Sequence, residues 1–525
     1  MTARQLPERP NLEQLKRLAK DLLRDARVRD AGAVARFRIL PAYARAADPD
    51  LARAPLALHD AQSVIAREHG FDSWNALRER VEELTFEFGA AVDQFIQAAT
   101  DGRPDRAGRL LALHPAIANA NFYTQLVLGD FPAVEARLAE RPARSTERGG
   151  PRDWEPLHYV CHSAISGHAT LRESGLVAIA RRLIELGADP NLRFPWLHHG
   201  VRRPVLWGAV MATRSLPLAA ALLDAGADPN DGVTLPLAAG SGNIDVLELL
   251  AARGADVNQP WATDGGATLY EILHWAPGPA AAIWLLEHGA DPDPVFAANG
   301  ESPLHVVAAK WGVYLAEQLV RRGADVSRRR ADGRTPYAVA QLSGNQAVAE
   351  WLLAHGSPAE LADVDRLVAA CSRGDREQVE AMLRECPELR GGLAPDHYAA
   401  LYQAAERNDA AALALLLECG LDPDRPDESI GKTALHVAAM EGNVEAARVL
   451  LAHGASVSAR DGEFHAPPLI WAAEGARNST RDDGAHAAVG RMLLEAGSPV
   501  DWEGGPEPAE AVRDIVHAWR EAAAA

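Results

Sequence analysis

Cysteine is scarce in this 525-residue chain: there are four, Cys161, Cys371, Cys386 and Cys419. They are scattered with no CxxC pair, so they fit reduced thiols better than a disulfide framework. Lysine is rarer than its charge class would suggest, with only Lys16, Lys20, Lys310 and Lys432 against abundant arginine and alanine. That bias points to a high-GC bacterial genome. Aromatics make up 6% of residues and the formal net charge is −19, a deficit of positive charge that argues against a nucleic-acid partner. No uncharged apolar run approaches the roughly 18 residues a membrane span needs. The start, Met1-Thr2-Ala3-Arg4-Gln5-Leu6-Pro7, leads into charged residues with no apolar core of a secretory signal, so a cytoplasmic protein is expected. Also missing are a Gly-x-Ser-x-Gly elbow, a His-Glu-x-x-His helix and a dinucleotide fingerprint placed after a strand. The expectation is therefore no enzyme, no cofactor and no metal.

What is there is repetition. Leu-Leu-x-x-Gly-Ala-Asp returns with a period of about 33–34 residues, plainly at 249–256 and 285–291 and in variants from 183 to 499. One unit is nearly whole: Gly431-Lys432-Thr433-Ala434-Leu435-His436-Val437-Ala438-Ala439, then Gly442-Asn443, Val449-Leu450-Leu451 and Gly454-Ala455-Ser456. Thr433, and likewise Ser302-Pro303 and Thr335-Pro336, reads as a hydroxyl cap opening a first helix. Gly followed by Asn or Asp, as at Gly129-Asp130, Gly242-Asn243, Gly344-Asn345, Gly374-Asp375 and Gly442-Asn443, reads as a left-handed helix end and the cap of a second helix. Gly454 ends that helix, and an extended finger crosses to the next unit. In 302–327, Trp311 stands where the inter-helix glycine belongs, which predicts a one-residue shift that gives Gly312 the turn. A unit this short cannot bury a core alone, so neighbours must stack.

These residues resemble the ankyrin repeat over about 90–501, in about twelve units. The resemblance implies an all-α fold: helix-turn-helix repeats with hairpin-like fingers, stacked as a solenoid that recognises proteins on its concave face. Two stretches, 91–115 and 363–387, parallel each other and lack both the Thr-Pro opening and the Gly-Ala-Asp ending. They look like starter units, so two repeat segments are expected, 90–360 and 361–501, with a weak junction near 357–365. Residues 1–85 differ. Asn11 caps a helix with a stripe at Leu12, Leu15, Leu18 and Leu22, and His69-Gly70-Phe71 reads as a helix end; the segment resembles a helical module that precedes ankyrin arrays in bacterial proteins. Residues 502–525 are expected to hold a capping helix with Val512, Ile515, Val516 and Trp519 on one face.

Several constellations invite chemistry. Gly431-Lys432-Thr433 imitates the tail of a phosphate loop, but Pro426 stands where the first glycine belongs, and Thr433 is explained as a cap. His158, Cys161, His162 and His168 offer zinc-type donors in one window, yet the pattern is better read as a repeat histidine with a small core cysteine. Candidate partner contacts are Trp196, His198 and His199 in a long finger, Arg328 and Arg329 in a basic run ending at Arg330, Trp261 in another finger, and Trp207 and Trp471 on first helices. The tryptophans equally suit space-filling beside small neighbours such as Gly208. The expected function is a scaffold or adaptor that binds a protein, acting as a monomer. Two rivals are an activity of enzyme or toxin–immunity type in 1–85, where His59 and His69 are the imidazoles, and small-molecule sensing near 196–207.

Overall fold

The computed structural model describes residues 4–7, 9–40, 43, 51, 53–54, 56–71, 73–165, 171–195, 202–262, 265–427, 429–478 and 484–499. The chain divides into two compact units, one holding 1–81, 307–313 and 326–525, the other 82–306 and 314–325. The expected boundary at 360/361 lies inside the first of these. The expected capping helix at 502–525 lies outside the described residues.

Among the described residues of 1–85 there are four α-helices, Leu12–Arg27, Ala31–Arg36, Leu58–Glu68 and Trp74–Thr85. Asn11 Oδ1 accepts from the Gln14 amide at 3.1 Å, the cap expected there. The buried stripe is Leu15, Ala19, Leu22, Leu23 and Ala26, whereas Leu18 is exposed. Spacing of four and then three residues runs through Ala19, so the leucine-only stripe was one position off on its second turn. These side chains close with Phe37, Tyr43, Ile65, Leu77 and Val81 into a hydrophobic cluster of their own.

From Phe88 onward the chain is a succession of short helix pairs. The fold is all-α; among the described residues, strands are confined to Arg193–Pro195 and Arg202–Pro204, paired antiparallel with Arg193 opposite Pro204. Thr335 opens its helix as the sequence predicts, its hydroxyl accepting from the Ala338 amide at 3.3 Å, whereas the Thr433 hydroxyl accepts no such bond and that helix opens through its histidine. At Thr433 the backbone N–H donates to His436 Nδ1 at 3.0 Å, and His436 Nε2 reaches the Ala466 carbonyl at 3.0 Å. An N–H can only donate, so Nδ1 is bare and the proton sits on Nε2. Ser302 with His305 and Ala394 with His397 repeat the first bond, at 3.2 and 2.9 Å.

The inter-helix turns hold one confirmation and two corrections. Gly129, Gly242, Gly344, Gly374 and Gly442 all have φ between 67° and 72°. Gly312 does not take the left-handed turn, and neither does Trp311. There the chain passes from Pro303–Lys310 to Val313–Arg321 without it, and Asn345 Nδ2 donates to the carbonyls of Ala308 and Trp311 at 3.0 and 2.8 Å. The helix-end carbonyls are thus satisfied from the next unit, with no strained turn. Asn443 donates likewise to the carbonyls of Ala405 and Glu406, at 2.8 and 2.7 Å, but there Asn408 takes the left-handed turn, with φ 58°. Neither Asn345 nor Asn443 caps its own helix: its Oδ1 accepts no first-turn N–H, and its amide donors reach back to the preceding unit. Elsewhere the cap holds, as at Asp130, Asn243, Asp375 and Asp409.

Both starter units have the same element order, Phe88–Thr100 with Pro104–Leu113 and Asp363–Ser372 with Arg376–Glu385, each followed by a 3-10 turn that begins at Pro115 or Pro387. The helix Leu171–Glu185 is long, at 15 residues. Its Gly175 lies so close to the Gly129 carbonyl that an added Cβ would sit 1.9 Å from that oxygen, so no other residue fits.

Asparagine in the Asp-x-Asn stretch stitches unit to unit. Asn191 donates to the Gly226 carbonyl and accepts from the Asp228 amide, at 3.0 and 2.7 Å. Asn230 does the same for Gly254 and Asp256, at 3.4 and 2.6 Å, and Asn258 for Gly289 and Asp291, at 3.1 and 2.7 Å. Asn258→Ala removes two bonds at once and is expected to cost about 1–2 kcal/mol in chemical denaturation. A change below about 0.3 kcal/mol would mean that water replaces this ladder at no cost.

Candidate interaction surface

The densest aromatic group is built from consecutive repeats. Tyr123, in helix Phe122–Leu128, meets Tyr159 with centroids 5.0 Å apart. Trp154, beside the bridge between Gly149 and the finger, lies 5.5 Å from Tyr159 and 5.4 Å from His162. His162 then meets Trp207 at 5.9 Å, and an added Cβ on Gly208 would sit 2.6 Å from the His162 ring. Gly208 therefore admits a ring, and Trp207 fills the space beside it. Two guanidiniums cover the outer tryptophans, Arg152 at 5.3 Å over Trp154 and Arg203 at 4.0 Å over Trp207. Desolvation draws Arg203 down to about 10.

His158 and His162 are buried, and burial pushes their pKa values down to about 4 and about 3. His162 Nδ1 lies 3.0 Å from the His158 carbonyl. Burial also raises the Cys161 thiol well above its ordinary range. Both rings and the thiol are packed in the interior, His162 between the rings of Trp154 and Trp207. Among the described residues no three His, Cys, Asp or Glu side chains converge as a metal site.

Two further tryptophans are organised by what lies beneath them. Trp261 and Trp275 meet edge to face at 5.8 Å, and the Trp275 ring lies on Gly240, where an added Cβ would come within 1.6 Å. Trp275 is 46% exposed and was not among the residues singled out for partner contact; its partner, Trp261, was. Trp471 packs edge to face on His436 at 5.6 Å, and its indole N–H donates to Asp461 Oδ2 at 3.0 Å. Asp461 is buried and also accepts from the amides of Glu463, Phe464 and Ala466. Burial alone would raise its carboxyl, but these bonds, Trp471's foremost, hold it below the usual range. The finger they shape presents Phe464, 63% exposed. Trp471 thus positions a finger whose tip carries the exposed ring.

The basic run is largely compensated. Arg329 reaches Glu360 at 2.7 Å, and Arg330 pairs with Asp332. Arg334, buried next to the cap Thr335, holds Asp365 through Nη2 at 2.7 Å and Nε at 3.0 Å, and also pairs with Asp396. His397 Nε2 lies 2.9 Å from both Asp365 Oδ1 and Arg334 Nη2. This network crosses the stretch expected to be a weak junction. No motif announces it, since its members are far apart in sequence and each is ordinary alone. Next to it, Tyr398, Tyr402, Arg425 and Asp427 line a cleft with Asp332 and Asp396. Lys432 lies 3.8 Å from Asp427 and Thr433 is engaged with His436, so the imitation phosphate loop is a finger and a cap. Trp196, His198 and His199 lie outside the described residues.

With this geometry in view, comparison with known proteins defines the class. A family model described as ankyrin repeats (three copies) matches residues 273–363 and again 367–461. The chain carries ankyrin repeats, and its all-α fold is of that class. The match begins after the long helix Leu171–Glu185 and the π-turn Gly208–Ala212, and it includes the 3-10 turn Pro387–Gly392.

Among similar proteins is the E3 ubiquitin-protein ligase KEG of Arabidopsis thaliana, 26% identical over 53% of this chain but 15% of the relative's length. The ankyrin repeat and KH domain-containing protein mask-1 of Caenorhabditis elegans is 27% identical over 42% of this chain and 8% of its own length. Rabankyrin-5 of Mus musculus is 28% identical over 31% of this chain and 12% of its length. The chain thus spans a small fraction of each of these relatives. Among the described residues no helix is long and apolar enough to cross a membrane.

Proposed function

We propose that this chain is a scaffold or adaptor: an ankyrin solenoid that holds a protein partner on its concave face, along first helices and finger tips. Ankyrin repeats and ankyrin-bearing relatives support a protein-interaction role. The observation that carries the surface assignment is the finger of Asp461, where a buried carboxylate and Trp471 shape the backbone while Phe464 is left outside. Val295, in another finger, is 48% exposed. An exposed aromatic on a rigid support is the usual anchor of an interface. In this reading the protein is a cytoplasmic monomer of bacterial origin, with repeat segments 90–360 and 361–501, an N-terminal helical module and a C-terminal capping helix.

Neither rival gains a specific observation. His69 Nδ1 is 3.0 Å from the Arg4 carbonyl and His59 Nε2 is 3.2 Å from Asp60 Oδ1, contacts that give both imidazoles a structural role in 1–85. The test is affinity capture from extract of the source cells with the intact chain and with Phe464→Ser plus Trp275→Ser. Both exposed rings are replaced while Asp461, Trp471 and Trp261 are kept. The wild-type chain is expected to retain a defined protein, and the variant to lose it at least about tenfold with an unchanged thermal midpoint. Equal capture by both would remove these fingers and helix ends from the interface.

A further inference from the structure

Cys371 and Cys419 are 48 residues apart in sequence, yet their sulfurs are 3.5 Å apart. Cys371 lies near the end of the first helix of one repeat, Asp363–Ser372, and Cys419 caps Ala410–Glu418, the second helix of the next. Both are buried in one hydrophobic cluster. We propose that Cys371 and Cys419 are an oxidative modification site, forming a reversible intrachain disulfide that cross-links two neighbouring repeats when the protein meets a small peroxide.

A disulfide bond is about 2.05 Å long, so the sulfurs must close by about 1.5 Å, within reach of side-chain rotation. The pairing is also asymmetric. The hydrogen bond with Cys371, helped by the charge of Arg390, holds the Cys419 thiol below its ordinary range. Cys371 is raised by the same neighbour and by burial. Either sulfur can donate in that bond, and the chemistry is the same with the roles exchanged; here Cys419 is taken as the first thiolate. Its sulfur attacks one oxygen of hydrogen peroxide, the O–O bond breaks, and the released hydroxide takes up a proton as water, leaving a sulfenic acid. The Cys371 sulfur then attacks Cys419 Sγ. The S–S bond forms, the S–O bond breaks, and the departing hydroxide leaves as a second water with the Cys371 proton. Two thiols have lost two protons and two electrons, and one peroxide has become two waters.

The other cysteines serve as internal controls. Cys386 is half-buried beside Glu388, 3.4 Å away, and Cys161 is buried in a different part of the chain. The intact protein is treated with hydrogen peroxide, alkylated with N-ethylmaleimide, denatured, digested and examined by mass spectrometry, alongside Cys386→Ala. The expected result is a peptide pair joining 371 to 419, two hydrogens lighter than the separate peptides and released by dithiothreitol, in both proteins. Recovery of 371 and 419 as free thiols or sulfinic acids, at a dose that oxidises Cys386, would overturn the proposal. So would a disulfide that joins either of them to Cys386.

Discussion

Arg334→Ala is expected to destabilise the unit that contains it by about 3–5 kcal/mol in chemical denaturation. Arg334 and Asp365 are both buried, and the guanidinium meets the carboxylate through two nitrogens, at 2.7 and 3.0 Å. Alanine leaves Asp365 buried with only His397 to satisfy it, and an uncompensated charge in that position costs far more than the pair gains. Arg334→Lys keeps the charge but loses the fork, so it should fall between wild type and alanine. The pH dependence gives an independent reading. Burial alone would raise the Asp365 carboxyl, but His397 and Arg334 outweigh it and bring the pKa down to about 2. A depressed carboxyl adds stability above its unfolded pKa, near 3.8, and loses it as pH falls towards 2. Arg334→Ala should therefore flatten the stability profile between pH 4 and 2. A loss below about 1 kcal/mol with an unaltered acid profile would show that the network is solvated and of little consequence.

The second large effect is acid destabilisation in a different window. His158 and His162 are neutral in the fold because burial lowers their pKa values to about 4 and about 3. An unfolded histidine titrates near 6.5, so the unfolded chain gains protons first. Stability is fully present above that value and is lost as pH falls towards the folded pKa. At pH 5 each ring should cost about 2 kcal/mol relative to pH 7.5, about 4 kcal/mol for the pair. The loss should be followed through the fluorescence of Trp154 and Trp207, which flank the rings. His158→Gln with His162→Gln should remove most of the slope between pH 6.5 and 5, at some cost in stability at neutral pH. An unchanged slope in that variant would place the acid sensitivity elsewhere, with His436 the next buried ring to test.

The helix pairs, caps and left-handed glycines were legible because they are local. A cap bonds three residues away and a turn needs one residue able to hold positive φ, so the requirement is written into adjacent letters. The same locality explains the errors. Leu18 was placed inside because a leucine stripe was followed, where burial needed Ala19. The glycine pattern puts a left-handed turn at Gly312 that the chain does not make, and the carbonyls left open there are met by Asn345 of the following unit. The bond from the Trp471 indole N–H to Asp461, and the exposed Phe464 ring on the same finger, are likewise contacts that no local pattern announces.

The amino-acid sequence by itself determined that helix pairs would form and that they would have to stack, since a unit of about 33 residues cannot exclude enough water alone. It also determined where each pair opens and turns. Tertiary structure alone decided which distant groups meet: Arg334 with Asp365 and Asp396, Cys371 with Cys419, His162 with Trp207. The physical reason is that these contacts cross from one repeat to another, where the choice depends on the packing angle and depth of whole helices. No run of neighbouring residues encodes that quantity.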